Sequence, residues 1–552
     1  MSKGQDIKES YKEKPKRVST WSGLEVKEIY RPEDTNDIDY DNDISDAGEY
    51  PFTRGVHRDM FRGRYWTRRA ICGYGTPADT NERLKFQLSE GATGLWLIPD
   101  LPTHHYIDGD HPYASGEVGL VGVPLYSLSD MESAMAGIPI DKITMTFGGQ
   151  SPTVLAQYFA CAEKQGVPLE KVRGTLQNDP IHGYVVYGFL RDFPVDLAVK
   201  LAIDIVEYCT RKTPQWNTMS IGFYNWRETG INAAQELAFG LSSAELYIKE
   251  ALERGLSIDE FAPQLSAYPS AHIDFFEEIA KLRAVRRMWA RMMKEKFGAK
   301  DTKSPKLRFG ARTAGSSLTA QQPLNNIIRI TCEALVGVLG GCQSLECCCY
   351  DEPIAIPTEE STRIALRTQQ VIAYETGIAN VSDPLGGSYY MESLTNRIEE
   401  EANKIIRQIE ELGGAAQAAK IGWFDREIDH AALQNQKEID AKERIIVGVN
   451  ALTLPPEEDT PIKVQRVPTD AEKAVVDNLQ SVKANRDKQK VREALEKLGE
   501  EAGKGTKVNL MPSILEAVKT YATTGEIMGT IRQACGYSYD PFEALQPPPR
   551  TR

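Results

Sequence analysis

GLWLI (94–98), KITMTF (142–147), TMSIGF (218–223) and LRFGA (307–311) are short apolar runs of strand length, and the stretches between them read as helices. The clearest of those helices is IDFFEEIAKLRAVRRMWARMMKEKFG (273–298). In it Phe275, Phe276, Ile279, Leu282, Met288, Trp289, Met292 and Met293 recur close to a 3.6-residue period. Strand followed by helix, repeated with no long β-only section, predicts a parallel α/β architecture. Seven or eight such units fit in about 350 residues, which favours a (β/α)8 TIM barrel over an open sheet. The expected organisation is an extended, polar N-terminal arm over 1–45, the barrel over 46–400, and a charged helical region over 401–552. Within the last, residues 470–500 read as one long helix and PSILEAVKTYATTGEIMGTIRQACG (512–536) as a helical pair.

The strands carry an anomaly. A filled barrel wants Val, Ile and Leu inside, yet Thr144, Thr146, Ser220, Gly222 and Gly310 fall in the runs. Small residues facing inward would leave room along the axis for a thin ligand. Equally, these residues can sit at strand ends and face loops.

Composition narrows the function. Of 552 residues 41% are hydrophobic and 26% charged, the balance of a globular protein, and the net charge of −13 argues against a general nucleic-acid binder. No stretch approaches a membrane span, and MSKGQDIKESYKEKPKR at the amino terminus lacks the apolar core of a signal peptide, so the expectation is a cytoplasmic protein away from membranes. Nine cysteines are too few for a disulfide framework. Cys347, Cys348 and Cys349 are consecutive, and adjacent thiols diverge on any regular backbone. A buried, polarizable wall is expected there, and no metal site.

Four clusters bear on chemistry. Arg54, Arg58, Arg62, Arg64, Arg68 and Arg69 crowd one segment of an acidic chain, with Met60, Tyr65 and Trp66 between them. They suit phosphate contacts, or else an interface with an acidic partner. The stretch 100–111, with His104, His105, Asp110 and His111, reads as a loop at a strand's carboxyl end and not as a metal centre. GTLQNDP (174–180) with Tyr184 and Tyr187, and Tyr224 with Asn225, would also follow strands, where (β/α)8 enzymes keep their catalytic groups.

Taken in order, YPFTRG (50–55), GTLQNDP (174–180), DFFEEIAK (274–281), LTAQQP (318–323), DEPIAIPTE (351–359), ALRTQQ (365–370) and DPLGGSYY (383–390) form a collinear series over about residues 45–450. This series resembles the methylmalonyl-CoA mutase family. The resemblance implies an isomerase: a barrel threaded by coenzyme A along its axis, capped by adenosylcobalamin, and carrying out a radical 1,2-rearrangement of an acyl chain. It implies that His57, Met60, Arg64, Thr67, Arg69, Thr175, Gln177, Leu265 and Ser266 line the CoA channel. It implies that Pro99, Val121, Val186, Gly315, Glu352 and Ala355 face the corrin. Tyr224, Asn225 and Arg312 fall at catalytic positions, Asn225 where the family has a histidine that donates to the thioester carbonyl.

The substrate-facing positions depart from the family. Tyr187 stands where methylmalonyl-CoA mutases hold a carboxylate with arginine, and Ile71 where they have tyrosine, so methylmalonyl-CoA is a poor candidate. Ile98 stands where the 2-hydroxyisobutyryl-CoA enzymes read a hydroxyl with aspartate. Gln215 and Gln264 replace basic residues near CoA, and Gly310 and Arg312 replace a histidine and a glutamine. Arg312 either pairs with a protein carboxylate such as Glu346, leaving a neutral pocket for a branched or bulky acyl group, or meets the carboxylate of a substituted succinyl-CoA. A non-catalytic acyl-CoA-binding scaffold is the remaining alternative. None of the seven histidines stands in the Asp-x-His-x-x-Gly motif of the family's cobalamin domain. The expected partner is therefore a separate small cobalamin-binding subunit, as in isobutyryl-CoA and 2-hydroxyisobutyryl-CoA mutases. The expected assembly is a heterotetramer around a homodimer of large subunits.

Overall fold

The computed structural model describes residues 18–149, 151–188, 191, 193–455, 458–459 and 461–547. The described residues form eleven short strands: β1 (Thr67–Arg69), β2 (Ile71–Cys72), β3 (Leu95–Leu97), β4 (Met145–Phe147), β5 (Gly174–Leu176), β6 (Trp216–Asn217), β7 (Met219–Gly222), β8 (Leu265–Tyr268), β9 (Ser270–Ala271), β10 (Arg308–Thr313) and β11 (Ser344–Glu346). All pairings are parallel, in two sheets of order β2-β3-β4-β5-β6 and β1-β11-β10-β8-β7, with β9 on β10. Only Ala70 separates β1 from β2, only Thr218 separates β6 from β7, and only Pro269 separates β8 from β9. The chain thus crosses from one sheet to the other through Ala70 and Thr218, whereas Pro269 only interrupts a strand position within one sheet. The eleven strands occupy eight positions in the order of a (β/α)8 barrel. All four apolar runs overlap a strand.

Eight helices alternate with these positions: Pro77–Ser89, Leu128–Ala134, Pro152–Lys164, Val195–Lys212, Ala233–Glu253, Phe275–Arg291, Asn325–Leu339 and Glu359–Tyr374. The helix read from periodicity spans Phe275–Arg291 and ends in a π turn, Met292–Lys296. Its period suggested one buried face, but every residue from Glu277 to Ala290 is buried. The reason lies outside the barrel. Helix Tyr389–Glu411 covers the polar face, where Glu392 pairs with Arg283 at 2.5 Å and Glu399 with Arg291 at 2.8 Å. Position 400, the expected end of the barrel segment, falls inside that covering helix.

The C-terminal region divides between the two halves of the barrel. Met391, Leu394, Ile398 and Phe424 join the core around β7–β11, whereas Val491, Leu498, Ile514 and Ile531 join the core around β2–β6. The stretch 470–500 is two helices, Ala471–Asn485 and Lys488–Ala502, because the Asp487 carboxylate accepts from the backbone N–H of Gln489 and Lys490 and so starts a new helix. Residues 512–536 hold the expected pair, Met511–Lys519 and Thr524–Ala534. The described part of the N-terminal arm is docked: the Trp21 N–H donates to Asp274 at 2.7 Å, and the Arg444 guanidinium lies 3.9 Å from the Trp21 ring centre. Among the described residues no helix is long and apolar enough to cross a membrane.

Candidate active site

Parallel register brings small residues together on the barrel axis. Ser220 lies beside Ser266, Thr146 beside Thr175, and Gly310 beside Ser344. With Thr144 they line a cavity of about 650 Å³, a volume ordinary for a small-molecule site. The axis stays open because no side chain at these positions is large enough to fill it. Gly222 alone among the anomalous strand residues is not part of the lining. A Cβ there would stand 2.7 Å from the ring of His182, so the glycine makes room for that ring.

The cavity opens where the strands begin. His57, Arg64, Lys142, Arg173, Gln215 and Arg308 surround this mouth. An adjoining hollow of about 470 Å³ adds Lys303, Lys306 and Gln264. Lys306 and Arg308, after partial burial, hold the His57 imidazole below its ordinary pKa. Lysines and arginines that precede strands were not singled out from the sequence, although Arg173 sits directly before β5 and Arg308 opens β10. Gln215 and Gln264, expected from the resemblance to replace basic residues, donate to the carbonyls of Glu170 at 2.9 Å and Pro214 at 3.0 Å.

Of the six clustered arginines, two reach the cavity. Arg64 lies at the mouth. Arg69 is buried in the wall, where it donates to the carbonyls of Leu95 and Thr144 and to the hydroxyls of Thr144 and Ser344. Burial without a carboxylate lowers its pKa to about 10. Arg54 instead turns to Asp383 at 3.3 Å, and Arg68 to the Gly91 carbonyl at 3.3 Å.

The inner end is aromatic. Trp96 and Tyr268 both line the cavity, with ring centres 4.8 Å apart at 69°. Tyr224, the first residue of helix Tyr224–Glu228, lies 5.3 Å beyond Tyr268, and Ile71 and Ile98 pack against this group. Arg312 stacks 4.9 Å over the Tyr224 ring. Its Nε is 2.7 Å from Glu346 and its Nη2 2.7 Å from Glu352. Burial raises the Glu346 carboxyl to about 7 against the opposing pull of Arg312. Asn225 follows Tyr224 half-buried and does not line the cavity.

The other predicted residues divide between the strands, where alternation places them, and the loops at either end of the barrel. His57, Met60, Thr67, Thr175, Gln177 and Ser266 line the cavity. Leu265 does not: it sits one residue before Ser266, on the outer face of β8, within the helix-side core. Pro99, Val121, Val186, Tyr187, Gly315, Glu352 and Ala355 all follow strand carboxyl ends, opposite the mouth. Val121 is 56% exposed and Tyr187 37%, whereas Pro99 is buried. Gly315 is tightly set; a Cβ there would stand 3.1 Å from both Glu228 and Glu352. In the stretch 100–111, Asp100 caps helix Leu101–His104, accepting from the Thr103 N–H at 3.0 Å and the Tyr126 hydroxyl at 2.6 Å. His111 meets Asp540 at 3.0 Å. Cys347, Cys348 and Cys349 are buried in the core, the Cys348 thiol donating to the Thr313 carbonyl at 3.0 Å.

A protein-family model described as methylmalonyl-CoA mutase matches residues 19–537. The 2-hydroxyisobutanoyl-CoA mutase large subunit of Aquincola tertiaricarbonis is 38% identical over 526 residues, covering 95% of this chain and 93% of its own. The methylmalonyl-CoA mutase of Rhizobium meliloti (strain 1021) is 39% identical over 538 residues, covering 96% of this chain and 75% of its own. The mitochondrial methylmalonyl-CoA mutase of Homo sapiens is 38% identical over 520 residues, covering 94% and 68%. Strand order, open axis and similarity along nearly the whole chain agree: it belongs to the methylmalonyl-CoA mutase family, isomerases that act on acyl-CoA esters and depend on adenosylcobalamin.

Proposed function

We propose that this chain is the large, substrate-binding subunit of a mutase that rearranges the carbon skeleton of a branched, uncharged acyl-CoA of isobutyryl or pivalyl type. The axial cavity carries the reading. It is narrow, hydroxyl-lined and ringed by cations at one end, as a pantetheine chain with a phosphorylated head requires. At the other end Ile71, Ile98, Trp96 and Tyr268 meet as an apolar group, suited to a branched hydrocarbon. Tyr187, in place of the family's carboxylate-binding arginine, disfavours methylmalonyl-CoA. In this reading Asn225 donates its amide to the thioester carbonyl, and Tyr224 packs beside the reacting carbons.

The same reading takes the cobalamin from a separate small subunit, in an assembly of two large and two small chains in the cytoplasm. One observation supports it: the relative named a large subunit matches over 93% of its own length. The face beyond the strand carboxyl ends suits a flat macrocycle, with Val121, Tyr187 and Ile354 exposed. When bound, adenosylcobalamin supplies the radical that starts the 1,2-shift. This chain's residues hold the acyl group, orient its thioester and keep water away.

Two measurements test the proposal. In equilibrium dialysis the chain alone is expected to retain little adenosylcobalamin; micromolar or tighter binding would refute the split-subunit reading. With the small subunit added, mass spectrometry of an acyl-CoA panel is expected to show isomerisation of neutral branched esters. Preferred turnover of methylmalonyl-CoA would exclude the neutral substrate.

A further inference from the structure

Resting on the acyl-CoA reading, we infer that Glu346 and Glu352 are specificity determinants: by occupying Arg312 from two sides they make the acyl pocket reject a terminal carboxylate.

The geometry begins with register. Gly310 pairs with Ser344, and two residues on Arg312 pairs with Glu346. Side chains two apart on a strand share a face. Gly310 and Ser344 line the axial cavity, so Arg312 and Glu346 point to the same axis, one layer nearer the strand carboxyl ends. A ligand entering from the cationic mouth meets the small layer first and the Arg312 layer last. Tyr268, at the cavity's inner limit, connects the two through Tyr224, over whose ring Arg312 lies. The terminus of an acyl chain would therefore arrive beside Arg312.

A cation in that position attracts an anionic terminus only if it is free. The Arg312 side chain is 12% exposed and Glu346 2%, so their 2.7 Å pair is held in a largely dry site. Glu352 takes a second guanidinium nitrogen at 2.7 Å. One charge thus faces two carboxylates, with Glu228 close by on Ser316. A third carboxylate brought in by substrate would meet a cation already faced by two carboxylates, with Glu228 as a further like charge nearby. Removing both glutamates reverses the situation, because it leaves a buried guanidinium without an anion. The substrate's carboxylate then becomes the missing partner.

Isothermal titration of the whole chain tests this with butyryl-CoA, succinyl-CoA and free CoA, and needs neither cobalamin nor turnover. Free CoA, which ends short of the Arg312 layer, reports that each variant is folded. The wild-type protein is expected to bind butyryl-CoA at least about tenfold more tightly than succinyl-CoA. In Glu346→Gln/Glu352→Gln that ratio is expected to shift towards succinyl-CoA by about thirtyfold or more, and adding Arg312→Gln should abolish the shift. A wild-type protein that binds succinyl-CoA as well as butyryl-CoA overturns the inference. So does a double variant with unchanged preference and intact CoA binding. If wild type binds neither ester nor CoA, the acyl-CoA reading itself fails first, and that result is distinct from a missing shift.

Discussion

The two ends of the axial cavity treat cations in opposite ways. At the mouth, among the described residues, no carboxylate pairs with Arg64, Lys142, Arg173 or Lys306, and the more buried Arg308 is held by the neutral oxygens of Asn217 and Pro263. At the inner end Arg312 has two such partners within 2.7 Å. Solvent explains the difference. A guanidinium or ammonium in water loses little by standing unpaired, and it remains available to a phosphate. The same group in a dry pocket must be neutralised. Charge alone therefore does not mark an anion site in this molecule. Charge that is left unpaired does.

The sharpest way to break the comparison is to block the path between the two ends. Gly310 has only Ser344 near its missing Cβ, at 3.4 Å, so the space beside it belongs to the cavity. Gly310→Leu is expected to leave the protein folded and to weaken acyl-CoA binding by more than about a hundredfold, measured by calorimetry alongside thermal melting. Near-normal affinity would mean that the ligand does not use the axis.

Arg69 stands between the two regimes: buried, yet bound only to neutral oxygens. Arg69→Ala leaves the Leu95 and Thr144 carbonyls short of a donor. It should therefore reduce acyl-CoA affinity by about tenfold or more and destabilise the fold by about 1–3 kcal/mol, seen in the urea midpoint. Arg64→Ala, at the mouth, should reduce affinity by up to about tenfold with no loss of stability. That loss should shrink between 50 and 300 mM salt, conditions chosen because screening acts on exposed charges. If both variants keep wild-type affinity, the arginine segment belongs to a subunit interface instead.

A pH series probes the inner end more gently. The Glu346 carboxyl is raised to about 7, so it is ionised above that value and protonated below it. Arg312 then keeps only Glu352 as an anionic partner. Discrimination against succinyl-CoA relative to butyryl-CoA should weaken as pH falls from 8 to 6, by about threefold to tenfold. A flat ratio across that range would show that Glu346 does not titrate there. The smallest effect is expected at the mouth, where Gln215→Lys restores a basic residue in solvent. It should tighten CoA binding by about threefold at low salt and by nothing measurable at high salt.

Much of this was legible in the chain. The runs 94–98, 142–147, 218–223 and 307–311 each overlap a parallel strand, and Thr144, Thr146, Ser220 and Gly310 within them line the axis, whereas Gly222 does not. Helix boundaries in the C-terminal region were less legible. A side-chain cap at Asp487 splits a stretch whose composition is helical throughout. The periodicity of 273–298 located its helix but not its surroundings. Arg283 and Arg287 look solvent-facing in sequence, yet they are buried against a helix that begins a hundred residues later, and Arg286 is buried on the carbonyls of Phe52, Thr53 and Gly340.

By itself the sequence determined what local rules can decide. The alternation of strand and helix, the small residues that keep a barrel axis open and the family motifs are all properties of residues in order. Which arginines face the ligand was decided only by tertiary structure. Arg69 reaches the cavity while Arg68 does not, because a strand sends successive side chains to opposite faces and its register fixes which face is the axis. Arg64 reaches the mouth and Arg54 turns to Asp383 because of where the loop before β1 places them. Whether Arg312 is an anion site depended in the same way on residues distant in the chain. Glu346 and Glu352 reach it from the neighbouring strand and the loop beyond, and a charge taken out of water is defined by its neighbours in space.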